Sequence, residues 1–137
     1  FLDPSLDQQL RRSQKRTGIR SPYAMIKVFH NPRCAKSRQA LRWLEDHKMD
    51  HQVYRYLEEG LRPDELETLL LKMECSAMDI IRTGEKVWKE EYAGLDLNED
   101  ELIMVLSEAP ILLERPLIVR GDLVFVARPT ETMEQLL

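Results

Sequence analysis

The chain has 137 residues, of which 43% are hydrophobic and 32% charged, a composition typical of one globular domain rather than a disordered or fibrous protein. Its longest apolar runs are far shorter than the roughly 20 residues that a membrane span needs, so no membrane partner is predicted. The net charge is −4, but residues 1–24 have a balance of +3, which leaves −7 on the rest of the chain. An acidic domain of this kind is a poor candidate for binding nucleic acid, because such binding depends on lysine and arginine at phosphates.

The first 24 residues differ from the rest, because they are polar, have little apolar periodicity and end just before Met25. We interpret residues 1–24 as a leader, an expression-derived segment or an over-extended gene start, and residues 25–137 as the folded domain. A mitochondrial presequence is the alternative, since arginine and serine are present, although Asp3 and Asp7 oppose it. Two cysteines without signal-peptide features favour a reducing, cytoplasmic location.

A strand–helix–strand unit opens the predicted domain. Residues 25–30 form a short apolar strand that ends at Asn31-Pro32. A helix is predicted at about 34–48, and alternation of polar and apolar residues over 51–56 predicts a second strand. The apolar face of that first helix contains Ala40, Leu41 and Leu44.

Several helices are predicted next. Pro63 is suited to the first position of a helix. Ser76 can cap a short helix after it, and residues 86–91 are predicted as another short helical piece. Asn98 and Glu101 have the spacing of a capping box, which predicts a helix that ends before the next proline. The helix after Pro63 has an apolar stripe at Leu66, Leu69, Leu70 and Met73.

A hairpin and a last helix complete the prediction. The β-rich runs 117–119 and 123–127 flank residues 120–122, which read as a tight turn. A final helix is predicted after them, capped by Thr130. Because a strand–helix–strand unit joins parallel strands and a hairpin joins antiparallel ones, the order predicts an α/β fold. Its form is a thioredoxin-like mixed four-stranded sheet, flanked by helices and with an inserted helical segment.

Cys34 stands where the first helix is predicted to begin. The N–H groups of a first helical turn have no partner within the helix, and the helix dipole adds partial positive charge there, so both favour a thiolate. The alternative is a small buried core cysteine, which the charged flanks oppose. Nearby positive charge is expected from Arg33, Lys36, Arg38 and, when protonated, His30.

The spacing around Cys34 restricts its chemistry. Ser37 stands where a dithiol oxidoreductase would have its second cysteine, and Ala40 stands where a cysteine phosphatase loop would have arginine. The site is therefore predicted to use one thiol. The Ser37 hydroxyl is expected to contact the thiolate, with an ordinary first-turn serine as the alternative. Cys75 is interpreted as core filler, with a resolving role as the alternative.

The segment around Cys34 is similar to the active-site segment of glutaredoxin-coupled arsenate reductases, and the resemblance extends from about residue 25 to residue 135. The segment reads HNPRCAKSR, and the matching later stretches are DIIRTGE, LLERPLIV and VARPTE. The resemblance implies that Arg82, Arg115 and Arg128 bind the substrate, and forked guanidinium donors suit a tetrahedral oxyanion. Each arginine alone has an alternative: Arg82 as a cation at a helix end, and Arg115 and Arg128 each in an ion pair with a surface carboxylate. The supporting residues are implied to be His30, Asn31, Ser37, Arg38 and Pro116, the last with a cis peptide bond.

The resemblance also implies the reaction. Cys34 attacks arsenate, glutathione acts as co-substrate, arsenite leaves, and glutaredoxin resolves the mixed disulfide. No bound cofactor is expected, and no metal site either, because His47 and His51 lack a third ligand. Two alternatives stay open: a related monothiol, glutathione-dependent oxidoreductase without arsenate activity, and a regulatory module like the Spx-type proteins. The latter generally have a second cysteine where this chain has Ser37.

Overall fold

The computed structural model describes residues 24–137, so residues 1–23 of the predicted leader lie outside the described residues. The sheet consists of β1 Ile26–Phe29, β2 His51–Tyr54, β3 Leu117–Arg120 and β4 Leu123–Val126. The α-helices are α1 Ala35–Asp46, α2 Tyr56–Glu59, α3 Pro63–Met73 and α4 Glu99–Glu108. Three 3₁₀ helices, Ala77–Ile80, Pro110–Leu112 and Thr130–Leu136, and a π-helical turn, Trp88–Tyr92, join or follow them.

The four strands form one mixed sheet in the order β2-β1-β3-β4. β1 runs parallel to β2 and antiparallel to β3, and β3 and β4 form the predicted hairpin. In this register Val28, at the centre of β1, lies opposite Val53 on one side and Ile118 on the other. The thioredoxin-like mixed sheet with flanking helices is therefore confirmed.

The sheet separates two apolar cores, because successive side chains of a strand point to opposite faces. One face of β1 contributes Val28 to the core under α1 and the C-terminal 3₁₀ helix, where Leu44 and Met133 are also fully buried. The other face contributes Phe29 to a larger core, which α3 and α4 cover. Because both of its faces are buried, β1 is held firmly in position within the sheet. Its carboxyl end leads directly into residues 30–34, which we call the cysteine segment.

The predicted helix starts agree with the structure where local chemistry determines them. Asn98 and Glu101 form the capping box, in which the Glu101 N–H donates to Asn98 Oδ1 at 2.9 Å and the Asn98 N–H to Glu101 Oε1 at 3.1 Å. Ser76 and Asp79 form a second box at the first 3₁₀ helix. Pro63 occupies the first turn of α3, as predicted.

Several element ends differ from the prediction by one or two residues, and three differences concern named residues. β2 ends at Tyr54, and Tyr56, predicted as part of the strand, begins α2 with its side chain fully buried in the core. Arg120 belongs to β3, so the hairpin turn is only Gly121 and its successor, with Gly121 at a φ of +59°. Thr130 does not cap the last helix, because its hydroxyl donates instead to Gln39 Oε1 at 2.9 Å.

Within residues 24–137, no helix has the length and apolar character needed to cross a membrane.

Candidate active site

The cysteine segment connects the carboxyl end of β1 to the start of α1. The His30 N–H donates to the Tyr54 carbonyl at 2.9 Å, which extends the pairing of the two parallel strands into the segment. The Cys34 N–H donates to the Asn31 carbonyl at 3.0 Å and closes a tight turn. Cys34 then occupies the N-cap position of α1 with extended backbone angles. Its side chain is therefore placed beside the unpaired N–H groups of the first helical turn.

Buried hydrogen bonds hold this segment in shape. Ser37 Oγ lies 2.6 Å from His30 Nδ1 and accepts the Asn31 N–H at 3.1 Å, and all three residues are buried. The Asn31 Oδ1 accepts the Arg33 N–H at 3.0 Å. On the outside, the Arg38 guanidinium donates to the Pro32 carbonyl at 2.8 Å. The predicted supporting residues thus fix the backbone that presents the sulfur.

One sequence prediction about this segment is corrected by these contacts. The hydroxyl of Ser37 does not make the predicted contact with the thiolate, since its hydrogen bonds are with His30 and the Asn31 N–H. For His30, positive charge was expected only in its protonated form. Burial, followed by the charges of Arg55 and Arg38, lowers its pKa from the ordinary value of 6.5, which favours the neutral ring.

The half-buried thiol of Cys34 is shifted toward the thiolate. Burial raises its pKa, but the Ser37 N–H, the Arg115 guanidinium and the Lys36 N–H together outweigh burial, so the net pKa lies below its ordinary value. The sulfur makes no regular capping hydrogen bond, so we attribute the effect of the N–H groups to the less directional field of the helix start. The cation responsible is Arg115, rather than the side chains of Arg33, Lys36 or Arg38 as predicted; Arg33 and Arg38 are exposed.

Arg115 reaches the site from the segment before β3. Its side chain is only 11% exposed, and its Nη1 donates to the Ile111 carbonyl at 3.2 Å. Its Nε is buried and has no hydrogen-bond partner within the described chain. The peptide bond to Pro116 is cis, as the resemblance implied. A buried cationic donor without a partner in the described chain, beside a thiol of lowered pKa, is suited to a bound anion.

Two glutamates connect the three predicted arginines into one network. Glu85 Oε1 lies 3.0 Å from Arg82 Nε and 3.6 Å from Arg115 Nη1. Glu114 Oε2 lies 3.7 Å from Arg82 Nη1 and 3.8 Å from Arg128 Nη1. The structure therefore brings Arg82, Arg115 and Arg128 together, and it adds two carboxylates that the sequence reading did not assign to the site.

Tyr56 is a further residue that the sequence reading missed. Its side chain is fully buried, and its hydroxyl has no hydrogen bond of regular geometry to any described residue, although the Asn31 side chain lies close to it. Burial raises the pKa of Tyr56 to about 12, and the charges of Arg115 and Cys34 also act on it. The hydroxyl therefore remains protonated near the thiol. The available signal was its position just after a strand parallel to β1, because the carboxyl ends of parallel strands share one edge of the sheet.

A cavity of about 540 Å³ lies along the cysteine segment, and its walls include His30, Arg33, Arg55, Glu85 and Arg115. A larger cavity of about 740 Å³ lies elsewhere, between α3 and α4, with acidic walls and Cys75 at its edge. Burial and then the charges of Asp79 and Glu99 raise the pKa of Cys75, so this thiol stays protonated. Cys75 packs against the larger core, as predicted. The smaller cavity is therefore the one with reactive chemistry beside it.

Comparison with known proteins identifies the family of the chain. The profile of the ArsC family matches residues 29–136. The chain belongs to the ArsC family. The arsenate reductase of Neisseria meningitidis serogroup A is 38% identical over 116 residues, which cover 82% of this chain and 97% of that protein. The solved arsenate reductase of Vibrio cholerae is 32% identical with a TM-score of 0.78, covering 83% of this chain and 98% of that one.

The similarity also extends to regulators. The global transcriptional regulator Spx 1 of Lactococcus lactis is 34% identical over 95 residues, which cover 69% of this chain and 74% of that protein. Membership of the ArsC family therefore establishes the fold and the relationship to proteins named arsenate reductases. The activity of this chain has to be argued from its own site.

Proposed function

We propose that this protein reduces arsenate to arsenite, with Cys34 as the nucleophile and with glutathione and glutaredoxin as the source of electrons. The observation that supports this most strongly is the pairing of a thiol of lowered pKa with Arg115, which is itself part of a three-arginine network. Guanidinium groups remain charged at any physiological pH and match the oxygens of a tetrahedral anion. The resemblance of the chain to named arsenate reductases supports the choice of arsenate among such anions.

In the first step the Cys34 thiolate attacks the As(V) centre and a sulfur–arsenic bond forms. The bond from arsenic to one hydroxyl group breaks, and that hydroxyl takes up a proton from solvent and leaves as water. The guanidiniums of Arg82, Arg115 and Arg128 offset the charge on the remaining oxygens. The thiol of glutathione then attacks the Cys34 sulfur. The electron pair of the sulfur–arsenic bond passes to arsenic, which leaves as arsenite, As(III).

The second half of the proposal regenerates the thiol. Cys34 is left as a mixed disulfide with glutathione, and the thiol of glutaredoxin attacks the glutathione sulfur and releases the Cys34 thiolate. An external thiol is needed because Ser37 provides no second sulfur, and Cys75 lies at the other cavity with a raised pKa. The cavity along the cysteine segment, with Arg33 and Arg55 in its walls, offers cationic groups to the carboxylates of glutathione.

Two other functions are alternatives at the same site. A monothiol oxidoreductase that acts on glutathione adducts would use the same Cys34 without needing all three arginines. A regulator is favoured by the similarity to Spx 1, but Ser37 leaves this chain without the paired cysteines that such a redox switch needs.

The test is arsenite production from arsenate with glutathione and glutaredoxin, measured for the full chain and for Cys34→Ser. Cys75→Ser is the matched control, because it removes a thiol of the same type from the other cavity. We expect Cys34→Ser to abolish arsenite production and Cys75→Ser to retain it. Undiminished activity in Cys34→Ser contradicts the proposal.

Variants of the three arginines distinguish an arsenate reductase from a monothiol oxidoreductase that acts on glutathione adducts. We expect Arg82→Ala, Arg115→Ala and Arg128→Ala each to reduce arsenate turnover far more than turnover of a glutathionylated peptide. Equal losses on both substrates would favour the monothiol oxidoreductase instead.

A further inference from the structure

The candidate oxyanion site contains carboxylates as well as guanidiniums. Glu85 lies between Arg82 and Arg115, and Glu114 lies between Arg82 and Arg128, with nitrogen–oxygen distances from 3.0 to 3.8 Å. Three positive and two negative side chains leave the network with one net positive charge instead of three. Since these side chains are only 11–33% exposed, their charges are screened less than on an open surface.

A carboxylate in an anion site has a cost for the anion. It repels a bound oxyanion and competes with it for guanidinium donors, so it weakens every ligand that is held by charge alone. Phosphate, sulfate and arsenate have the same tetrahedral shape and similar charge, so three guanidiniums by themselves cannot separate them. Arsenic(V), however, exchanges its oxygens for a thiol readily, whereas phosphorus and sulfur in these anions do not.

We propose that Glu85 and Glu114 are selectivity residues, which weaken the binding of inert oxyanions by keeping the three guanidiniums in ion pairs. Any oxyanion then binds weakly at first, and only one that bonds to Cys34 is retained. The identity of that productive anion as arsenate rests on the proposed function. The effect of the two carboxylates on phosphate affinity does not rest on it.

Donors for an entering anion remain in this arrangement. Arg115 Nε is buried and has no hydrogen-bond partner in the described chain. The Tyr56 hydroxyl, which also lies near Cys34, is likewise buried without a partner there. An anion that binds there is close to Glu85, which contacts the same guanidinium at 3.6 Å. The carboxylate therefore acts on the anion at short range.

A purely structural role for the glutamates makes the opposite prediction. If Glu85 and Glu114 only orient the arginines, removing either carboxylate would let the guanidiniums move apart, and phosphate would bind more weakly. If they are selectivity residues, removing either would raise the positive charge available and phosphate would bind more tightly. The direction of the change therefore decides between the two roles.

The experiment measures binding of inorganic phosphate to the full chain by calorimetry and by protection of Cys34 from iodoacetamide. The variants are Glu85→Gln and Glu114→Gln, which keep the side-chain shape. The control is Glu90→Gln, which removes the same charge from an exposed pair with Lys86 at 3.8 Å. We expect each site variant to bind phosphate about fivefold more tightly, and the control to match the wild type.

Unchanged or weaker phosphate binding in both site variants would overturn the inference, and so would the absence of phosphate binding in every protein tested. Two variants are used so that, if one fails to fold, the other still tests the inference. Thermal denaturation checks the folding of each. Arsenite production by the wild type is measured in parallel. Tighter phosphate binding in the variants without any arsenite production would refute the proposed function alone, and arsenite production with unchanged phosphate binding would refute this inference alone.

Discussion

The imidazole Nδ1 of His30 lies 2.6 Å from the hydroxyl oxygen of Ser37, and both groups are buried beneath the cysteine segment. The same oxygen accepts the Asn31 N–H at 3.1 Å. One hydroxyl therefore provides a hydrogen-bond partner for a ring nitrogen and for a backbone N–H that belong to buried residues. We expect the position of the Cys34 sulfur to depend on this buried pair.

Ser37→Ala should destabilise the protein, because it leaves the Asn31 N–H and the His30 ring without their partner. Removing one partner of a buried polar group typically costs about 1–3 kcal/mol, and we expect a loss of about 2 kcal/mol in the free energy of unfolding. Urea denaturation measures it. Thr68→Ala is the control, since it removes one exposed hydrogen bond to the Asp64 carbonyl and should cost less than about 0.5 kcal/mol. Equal stability of the two variants would show that the Ser37 hydroxyl is not needed.

Arg115→Ala should raise the pKa of Cys34, because it removes the guanidinium that favours the thiolate. Activity and alkylation that depend on the thiolate fall as the pH drops through the thiol pKa. In Arg115→Ala this decline should therefore begin at higher pH than in the wild type. The measurement is the rate of iodoacetamide alkylation of Cys34 as a function of pH, in a Cys75→Ser background.

The matched control for that prediction is Arg33→Ala, which removes an exposed cation next to Cys34 in sequence. It should leave the alkylation profile close to that of the wild type. A larger shift in Arg33→Ala than in Arg115→Ala would mean that the sequence-adjacent cations, and not Arg115, determine the state of the thiol.

His30 should make the protein less stable in mild acid. Burial, Arg55 and Arg38 lower its pKa in the folded state from 6.5, so the unfolded chain takes up a proton first as the pH falls. The neutral His30 ring makes its full contribution to folding stability above about pH 6.5. That contribution is lost progressively as the pH falls from 6.5 to the lower pKa of the folded state. The midpoint of urea unfolding should therefore decline less between pH 7 and pH 5 in His30→Gln than in the wild type.

His47→Gln provides the control for this pH dependence, because His47 stands at the exposed end of α1. It should retain the wild-type decline. A His30→Gln protein with the same decline as the wild type would show that burial of this ring does not couple protonation to folding.

Tyr56→Phe should be neutral or stabilising in the unliganded protein. The Tyr56 hydroxyl is buried without a regular hydrogen bond among residues 24–137, and an unsatisfied buried polar group costs roughly 1–3 kcal/mol. The thermal unfolding midpoint should thus stay the same or rise. A fall in the midpoint equivalent to a loss of more than about 1 kcal/mol of stability would indicate that the hydroxyl makes a stabilising hydrogen bond, for example with the Asn31 side chain.

Local chemistry made much of the fold predictable. The capping box at Asn98 and Glu101 and the proline at the start of α3 act within a few residues, so their effect is visible in the sequence. Apolar and β-rich runs likewise predicted three of the strands, and alternation over residues 51–56 predicted the fourth. Thr130 was placed wrongly as a cap because its partner, Gln39, is distant in sequence and adjacent only in the folded chain.

The same distinction explains what was missed in the site. Cys34 and the three arginines could be named from the motif and its resemblance, but the electrostatic partner of the thiol could not. The sequence suggested the neighbouring cations, whereas the folded chain brings Arg115 to the sulfur from a remote segment. Glu85 and Glu114 look like ordinary surface acids until folding places each between two arginines.

The most direct test of the account is whether arsenate causes glutathione to become attached to Cys34. The full chain is incubated with arsenate and glutathione, without glutaredoxin, and its intact mass and peptide map are measured. The account predicts one glutathione per chain, on Cys34, and none when arsenate is omitted. An adduct that forms equally without arsenate, that lies on Cys75, or that does not form at all would contradict it.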